Sequence, residues 1–570
     1  MAYTISSINL LLRPQQFAVT NTYTLDKPKI YYTAVKIIGM KKDKTPHGDI
    51  PRGLEKVLSS RLRAGLFGRM FRHLPPLEMA DQFLIDLGLS MIEPFIDADG
   101  KVIDPEGPEF PSNNPFVPAG YNYLGQFIDH DLTFDPLSVL QKQNDPHCIT
   151  NFRTRRFDLD NLYGKGPNDN PFMYDGNKLV LGKVAEANED DLPRSPNGRA
   201  IIGDPRNNEN VIVSQIPQAF IRFHNKIVGQ VNDFELAQDI VRRHYQWIVL
   251  YDYLPRIVGK EIVNRMLQRD EYAVLSGLGN NEEEVLSKAA VIKPDLKIYN
   301  YKSDPFMPVK FSVAAFRFGH CMVRNNYTQK SGEPPEVIDL PIFEPAEAHN
   351  PSANDLIGFR PRPKDREIKW RKFFKTTDST EDDTQLSRSF DTQLVGALRG
   401  LPMNIAGDQT AQNHRGNLDV RNLLRGKAPG LPSGQAVARA MGILENMILK
   451  NITIGASYKD PVKLTEPEIS NLTPQSTGLT QAKSDSLAKE VSNNTPLWYY
   501  ILKEAELTCK GYKLGLVGGR IVAETFIGIM AADNLSFINL QPDWQTATGK
   551  FGCKATGKFE MADLLNFVKL

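Results

Sequence analysis

Histidine is scarce in this chain, nine among 570 residues, and two of the nine stand where chemistry could use them. The first lies in Tyr123-Leu124-Gly125-Gln126-Phe127-Ile128-Asp129-His130-Asp131. On a helix Gln126 and His130 are four apart and share one face, with Asp129 beside them. A histidine between two carboxylates admits three uses: a metal-ligand set, a pH-sensitive structural ion pair, or a base flanked by two acids with separate tasks. The second lies in Ala315-Phe316-Arg317-Phe318-Gly319-His320-Cys321-Met322, an apolar run that reads as helix. There Gly319 lets something large approach the backbone beside His320. A histidine satisfied within a core is the plainer alternative.

Two further segments carry the right groups. Thr154-Arg155-Arg156-Phe157-Asp158-Leu159-Asp160 spaces oxygen-bearing side chains at alternating positions, as loops do when they wrap a hard cation such as calcium. An Asx-rich turn has the same composition. Gly203-Asp204-Pro205-Arg206-Asn207-Asn208-Glu209-Asn210 leads into a long helical pattern and sets Arg206 and Glu209 at its opening turn. Glu209 there would favour the helix dipole, and Arg206 could simply pair with a surface acid.

The elements that must hold these residues are mainly helical. Apolar residues return every three or four positions over 211–231, 236–258 and 521–531. The expected fold class is all-α with few short strands. Residues 1–115 are rich in proline and turn chemistry and read as an irregular arm packed on the core, leaving 116–570 as the catalytic body. Within the arm Leu54, Leu58, Leu62 and Leu66 recur at helical spacing among Arg61, Arg63, Arg69 and Arg72. That is a basic amphipathic helix docked on its own protein or, alternatively, a peripheral membrane contact through residues 54–74. The stretches 352–389 and 459–494 turn polar and read as surface insertions, neither of them a site.

Lys+Arg and Asp+Glu balance at 68 against 67, so no global field draws the protein to nucleic acid. The four cysteines, Cys148, Cys321, Cys509 and Cys553, form no CxxC pair and no disulfide framework is expected. No basic n-region precedes the leucines at 10–12 and no apolar run reaches about 18 residues, so the expectation is a cytoplasmic or non-classically secreted protein.

Taken in order, the four segments resemble the animal-type haem peroxidases of the peroxidase–cyclooxygenase superfamily, including its bacterial-type members. Gly125-Gln126-x-x-Asp129-His130-Asp131 resembles the distal motif. The resemblance implies His130 as the acid/base group with Gln126 beside it, Asp129 as a residue able to ester-link to haem, and Asp131 as a calcium ligand. Thr154, Asp158 and Asp160, with the carbonyl of Arg156, match the loop that completes the calcium shell. Gly203-Asp204-x-Arg206-x-x-Glu209 resembles the segment bearing the distal arginine and the second ester-forming carboxylate, with Asn210 where some members have a methionine that bonds the haem. Phe316-Arg317-Phe318-Gly319-His320 is similar to the proximal segment, and Asn422-Leu423-Leu424-Arg425-Gly426 to the one whose asparagine accepts a hydrogen bond from the proximal histidine.

The resemblance therefore implies haem b between distal and proximal helices, with His320 on the iron and Asn422, Arg317 and Arg425 among the cofactor-binding residues. It implies hydrogen peroxide and a small organic or halide donor as substrates. Two alternatives stand beside it. A fatty-acid dioxygenase of the cyclooxygenase side needs a tyrosine three residues before the proximal histidine, where this chain has Arg317. A scaffold that has lost haem would have no use for Gln126, His130, Arg206, Glu209 and His320 together.

Overall fold

A computed structural model describes, with short interruptions, residues 66–91, 113–134, 151–343, 355–402, 416–449, 491–540 and 558–570. The leucine pattern at 54–62 lies outside them, as do Cys148, Cys553 and nearly all of 459–494. The described residues are mostly helical, as expected, and their strands pair only as small two-stranded sheets. The longest of these sheets is the antiparallel hairpin Arg269–Leu275 with Leu286–Ile292.

Helix α1 (Asp81–Leu89) packs against a helix over Leu418–Lys427. Helix α2 (Gly120–Leu132) carries the distal motif, and the one-turn helix α3 (Asp160–Tyr163) follows the acidic loop. Helix α4 (Val211–Val231) matches the apolar pattern read from sequence. Asn210 caps it, its side-chain oxygen accepting from Val213 N at 2.8 Å. Helix α5 (Phe234–Trp247) continues through one π-helical stretch, Ile248–Tyr253, into Leu254–Val258. The predicted helix over 236–258 is thus continuous but locally widened, a device that re-aims side chains. Among the described helices none is long and apolar enough to cross a membrane.

The core joins α2, α4 and α5 to the helices Leu497–Cys509 and Leu516–Ala532 through residues such as Phe127, Phe220, Tyr245, Trp498 and Phe526. Two close approaches depend on glycine. A side chain at Gly120 would collide with Phe374 and the Phe373 carbonyl, and one at Gly125 with the Tyr253 hydroxyl.

Two sequence readings are corrected here. Residues 315–322 form a 3₁₀-helix rather than an α-helix. At three residues per turn positions i and i+3 eclipse, which leaves Arg317 and His320 half-buried on one edge while Phe318 and Cys321 are buried. The stretch 352–389 is no surface insertion in its described part. Leu356, Ile368, Trp370, Phe373 and Phe374 are buried, and Gly120 N donates to the Phe373 carbonyl at 2.9 Å. Its mean polarity concealed a few large apolar anchors, and these decide burial.

Candidate active site

A cavity of about 580 Å³ lies between α2 and the 3₁₀ segment, a volume within the usual range for ligand and cofactor sites. Its lining brings together Gln126, Asp129, His130, Arg206, Glu209, Arg317, His320, Asn422 and Arg425. These are all the candidate catalytic and haem-binding residues of the sequence reading. Thr154, Arg156, Asp158 and Asp160 are not in the lining, nor is Asp131.

His130 is buried on α2, and its Nδ1 lies 2.8 Å from Oδ1 of Asn207. With the amide oxygen as acceptor, Nδ1 carries the proton and Nε2 keeps its lone pair. Burial, and next the charge of Arg206, push the imidazole pKa down to about 4, so it is a neutral base near pH 7. Asn207 was missed from sequence, since an asparagine in an Asn-rich turn carries no periodic signal.

Arg206 sits in the 3₁₀ turn Pro205–Asn208 that Asp204 caps. Its Nη2 donates to Asp204 Oδ2 at 2.8 Å, to the His130 carbonyl at 3.3 Å and to the Thr133 carbonyl. Its guanidinium stacks over Phe134 at 4.8 Å. Burial alone would raise the Asp204 carboxyl, but Arg206, His130 and Arg153 outweigh it and hold the group well below the usual range. Gln126 donates to Glu209 Oε2 at 2.8 Å and accepts from Asn210 Nδ2 at 3.2 Å. Its amide is thus occupied at both ends. Burial raises the Glu209 pKa against Arg206, Gln126 and Arg317. The backbone behind Glu209 is clamped by residues 356–359, through Val211 N to Leu356 O at 2.8 Å and Gly358 N to Glu209 O at 2.9 Å.

On the other wall, burial and then Arg317 and Arg421 push the His320 pKa down to about 3. A neutral imidazole is the form that binds iron. The Asn422 amide pairs with His320 Nδ1 at 2.8 Å. The nitrogen of that amide faces the ring; a half-turn of the amide puts its oxygen there, the expected acceptor. With the amide oxygen toward the ring, Nδ1 carries the proton and Nε2 keeps its lone pair for another ligand. Arg421 lines the cavity beside Arg317 and Arg425, a third cation that sequence reading did not single out. Trp498 Nε1 donates to the Arg317 carbonyl at 3.3 Å, tying the segment to the helix Leu497–Cys509.

The acidic loop does converge. One carboxylate oxygen each from Asp131, Asp158 and Asp160 lies within 4.8 Å of the others. Both Asp131 oxygens are buried and make no hydrogen bond of normal geometry, although the Tyr245 hydroxyl and Leu159 N–H are close enough to affect the group. Burial and the neighbouring Asp158 and Asp160 raise the Asp131 pKa well above the carboxylate range, and Asp160 is pushed up to about 7 by burial and Asp158. Three mutually repelling carboxyls, one of them buried and unsatisfied, suit a hard cation. Thr154 sits at the cluster, its hydroxyl 3.1 Å from Asp158. The Arg156 side chain lies 3.7 Å from Asp158.

The animal haem peroxidase family model matches residues 138–357, a span that holds Arg206 and His320. The fold is similar to that of peroxidase A from Dictyostelium discoideum, with a TM-score of 0.54 at 14% identity over 89% of this chain and 93% of that one. Over residues 138–357, then, the chain is similar to the animal haem peroxidases. A match to that family implies a haem site. A Drosophila melanogaster dual oxidase is 22% identical over 285 residues, 48% of this chain and 15% of that protein, so this chain spans a small part of that relative's length. A fatty acid alpha-dioxygenase of Arabidopsis thaliana gives a TM-score of 0.46 at 14% identity over 82% of this chain and 73% of that one.

The residues present fit the group the family implies. Two neutral imidazoles line one cavity, and the cations Arg317, Arg421 and Arg425 near His320 suit the two carboxylates of a haem.

Proposed function

We propose that this protein is a haem-dependent peroxidase that reduces hydrogen peroxide and oxidises small organic donors or halides. The observation that carries the reading is the Asn207–His130 contact of 2.8 Å, which leaves an unprotonated Nε2 in the same cavity as His320. His320 would hold haem b through its iron, Arg317 and Arg425 would hold its carboxylates, and Asp129 and Glu209 are available for ester links. When bound, the haem supplies the redox centre for peroxide reduction and donor oxidation.

The chain's own residues then do the acid/base work. Nε2 of His130 accepts a proton from one peroxide oxygen and returns it to the other, so that the departing oxygen leaves as water. Arg206, fixed by Asp204, stabilises negative charge on that oxygen. Gln126 holds Glu209 and Asn210 in register. Two one-electron donors complete the turnover, so hydrogen peroxide and two AH give two waters and two A radicals. The cluster of Asp131, Thr154, Asp158 and Asp160, with the Arg156 carbonyl, would bind calcium and keep the end of α2 in place. The catalytic body in this reading runs from 116 to 570, preceded by an N-terminal segment of 115 residues. Arg317 stands where the dioxygenase route needs its tyrosine, which disfavours that chemistry.

The test is peroxide-dependent oxidation of a phenolic dye by the haem-loaded protein. His130→Gln is expected to lower kcat/KM for peroxide by about a hundred- to ten-thousandfold while haem absorbance is kept. Oxygen uptake with linoleate and no peroxide-dependent dye oxidation would overturn the proposal.

A further inference from the structure

Between the acidic loop and the cavity runs an unbroken line of alternating charge. Arg153, buried to 8% exposure, reaches Asp160 Oδ1 with Nη1 at 3.5 Å and donates to Asp204 with Nη2. Asp204 has no exposed surface, and its carboxylate also accepts from Arg206 Nε at 3.2 Å and Nη2 at 2.8 Å. One buried carboxylate therefore serves two arginines, one turned to the acidic loop and one lining the cavity. The backbone repeats the link. Asp204 N donates to the Asn161 carbonyl at 2.9 Å, and so does Nδ2 of Asn207, the residue that holds His130, at 3.2 Å.

We propose that Arg153 and Asp204 are positioning residues that couple cation occupancy of the Asp131–Asp158–Asp160 cluster to the placement of Arg206. The inference rests on the cation reading above. A divalent cation at the cluster satisfies Asp160 and repels Arg153, which moves its hydrogen bonding onto Asp204. Asp204 then needs Arg206 less, and the Arg206 guanidinium is freer to meet charge in the cavity. With the cluster vacant Arg153 is drawn back to Asp160, and Asp204 closes on Arg206. Buried ion pairs of this kind are strongly coupled because their alternatives are uncompensated charges.

Coupling is reciprocal, so a change at the cavity must be felt at the cation cluster. Calcium chloride is titrated calorimetrically into chelator-stripped protein, with no need for turnover. Arg206→Gln releases Asp204 to pull Arg153 off Asp160, and calcium affinity is expected to rise by about fivefold. In an Arg153→Lys background, where charge is kept but one group can no longer fork between two acids, the same change is expected to move affinity by less than about twofold. If Arg153→Lys fails to fold, as judged by near-ultraviolet circular dichroism, the Asp204→Asn background replaces it with the same expectation. An Arg206→Gln effect of equal size in every background, or none in any, overturns the coupling. Absence of calcium uptake by the wild-type protein is a distinct result that removes the cation reading and the coupling with it.

Discussion

The two walls of the cavity are built by different means. The distal wall is held by polar partnerships: His130 by Asn207, Arg206 by Asp204, and Gln126 by Glu209 and Asn210. The proximal wall has the Asn422–His320 contact but rests mainly on packing. Phe316 stacks on Phe311 with centroids 4.7 Å apart, and Phe526 sits 5.3 Å from Phe316 and 5.6 Å from Phe311. In the proposed reading the first wall moves protons, and it uses groups whose roles can change within a fixed network. A wall that must hold one ring in place is served by close-packed aromatics.

Four experiments sharpen or break that contrast. Phe526→Ala removes the aromatic shared by Phe157, Tyr253, Phe311 and Phe316. It is expected to cost about 3–5 kcal/mol in denaturant unfolding, the largest effect here; a loss below about 1 kcal/mol would deny the packing account. Asn207→Ala should lower the rate of reaction with peroxide by about 10–100-fold, since it frees the His130 ring and its tautomer. Unfolding should change much less than in Phe526→Ala, and the reverse pattern would show that Asn207 is only structural. Asn422→Ala should weaken haem retention by about tenfold, read by transfer of haem to an acceptor protein.

The last experiment reads histidines outside both walls, through the response to acid. His224 and His244 are buried outside the cavity, and burial pushes each pKa down to about 4. At these two sites the unfolded chain binds more protons than the folded one between about pH 6.5 and 4. The contribution of these two histidines to stability is therefore expected to fall as pH drops through that window, by up to about 1.4 kcal/mol per pH unit for each, and to level off below it. Substituting His244→Gln should flatten the slope measured by urea unfolding, and an unchanged slope would deny that His244 is held neutral.

How much of this was legible in the sequence differs between the walls. The four-residue spacing of Gln126 and His130 placed them together on α2, and the helix over Val211–Val231 follows its apolar period. The 3₁₀ form of Ala315–Met322 did not show, because eight mostly apolar residues offer too few turns to separate a period of 3.0 from one of 3.6. Asn207 is 77 positions from His130, and Arg153 is 51 from Asp204. Such polar partnerships are made by the fold and leave no local pattern. The burial of Trp370, Phe373 and Phe374 was hidden by the charged residues around them.

The central claim is that His320 holds haem in this cavity while His130 works on the bound peroxide without holding anything. Visible spectra of wild type, His320→Ala and His130→Gln after haem supplementation test it most directly. A Soret band retained by the wild type and by His130→Gln, and lost from His320→Ala on gel filtration, is the predicted result. No Soret band in the wild type, or an equal band in His320→Ala, would contradict the account.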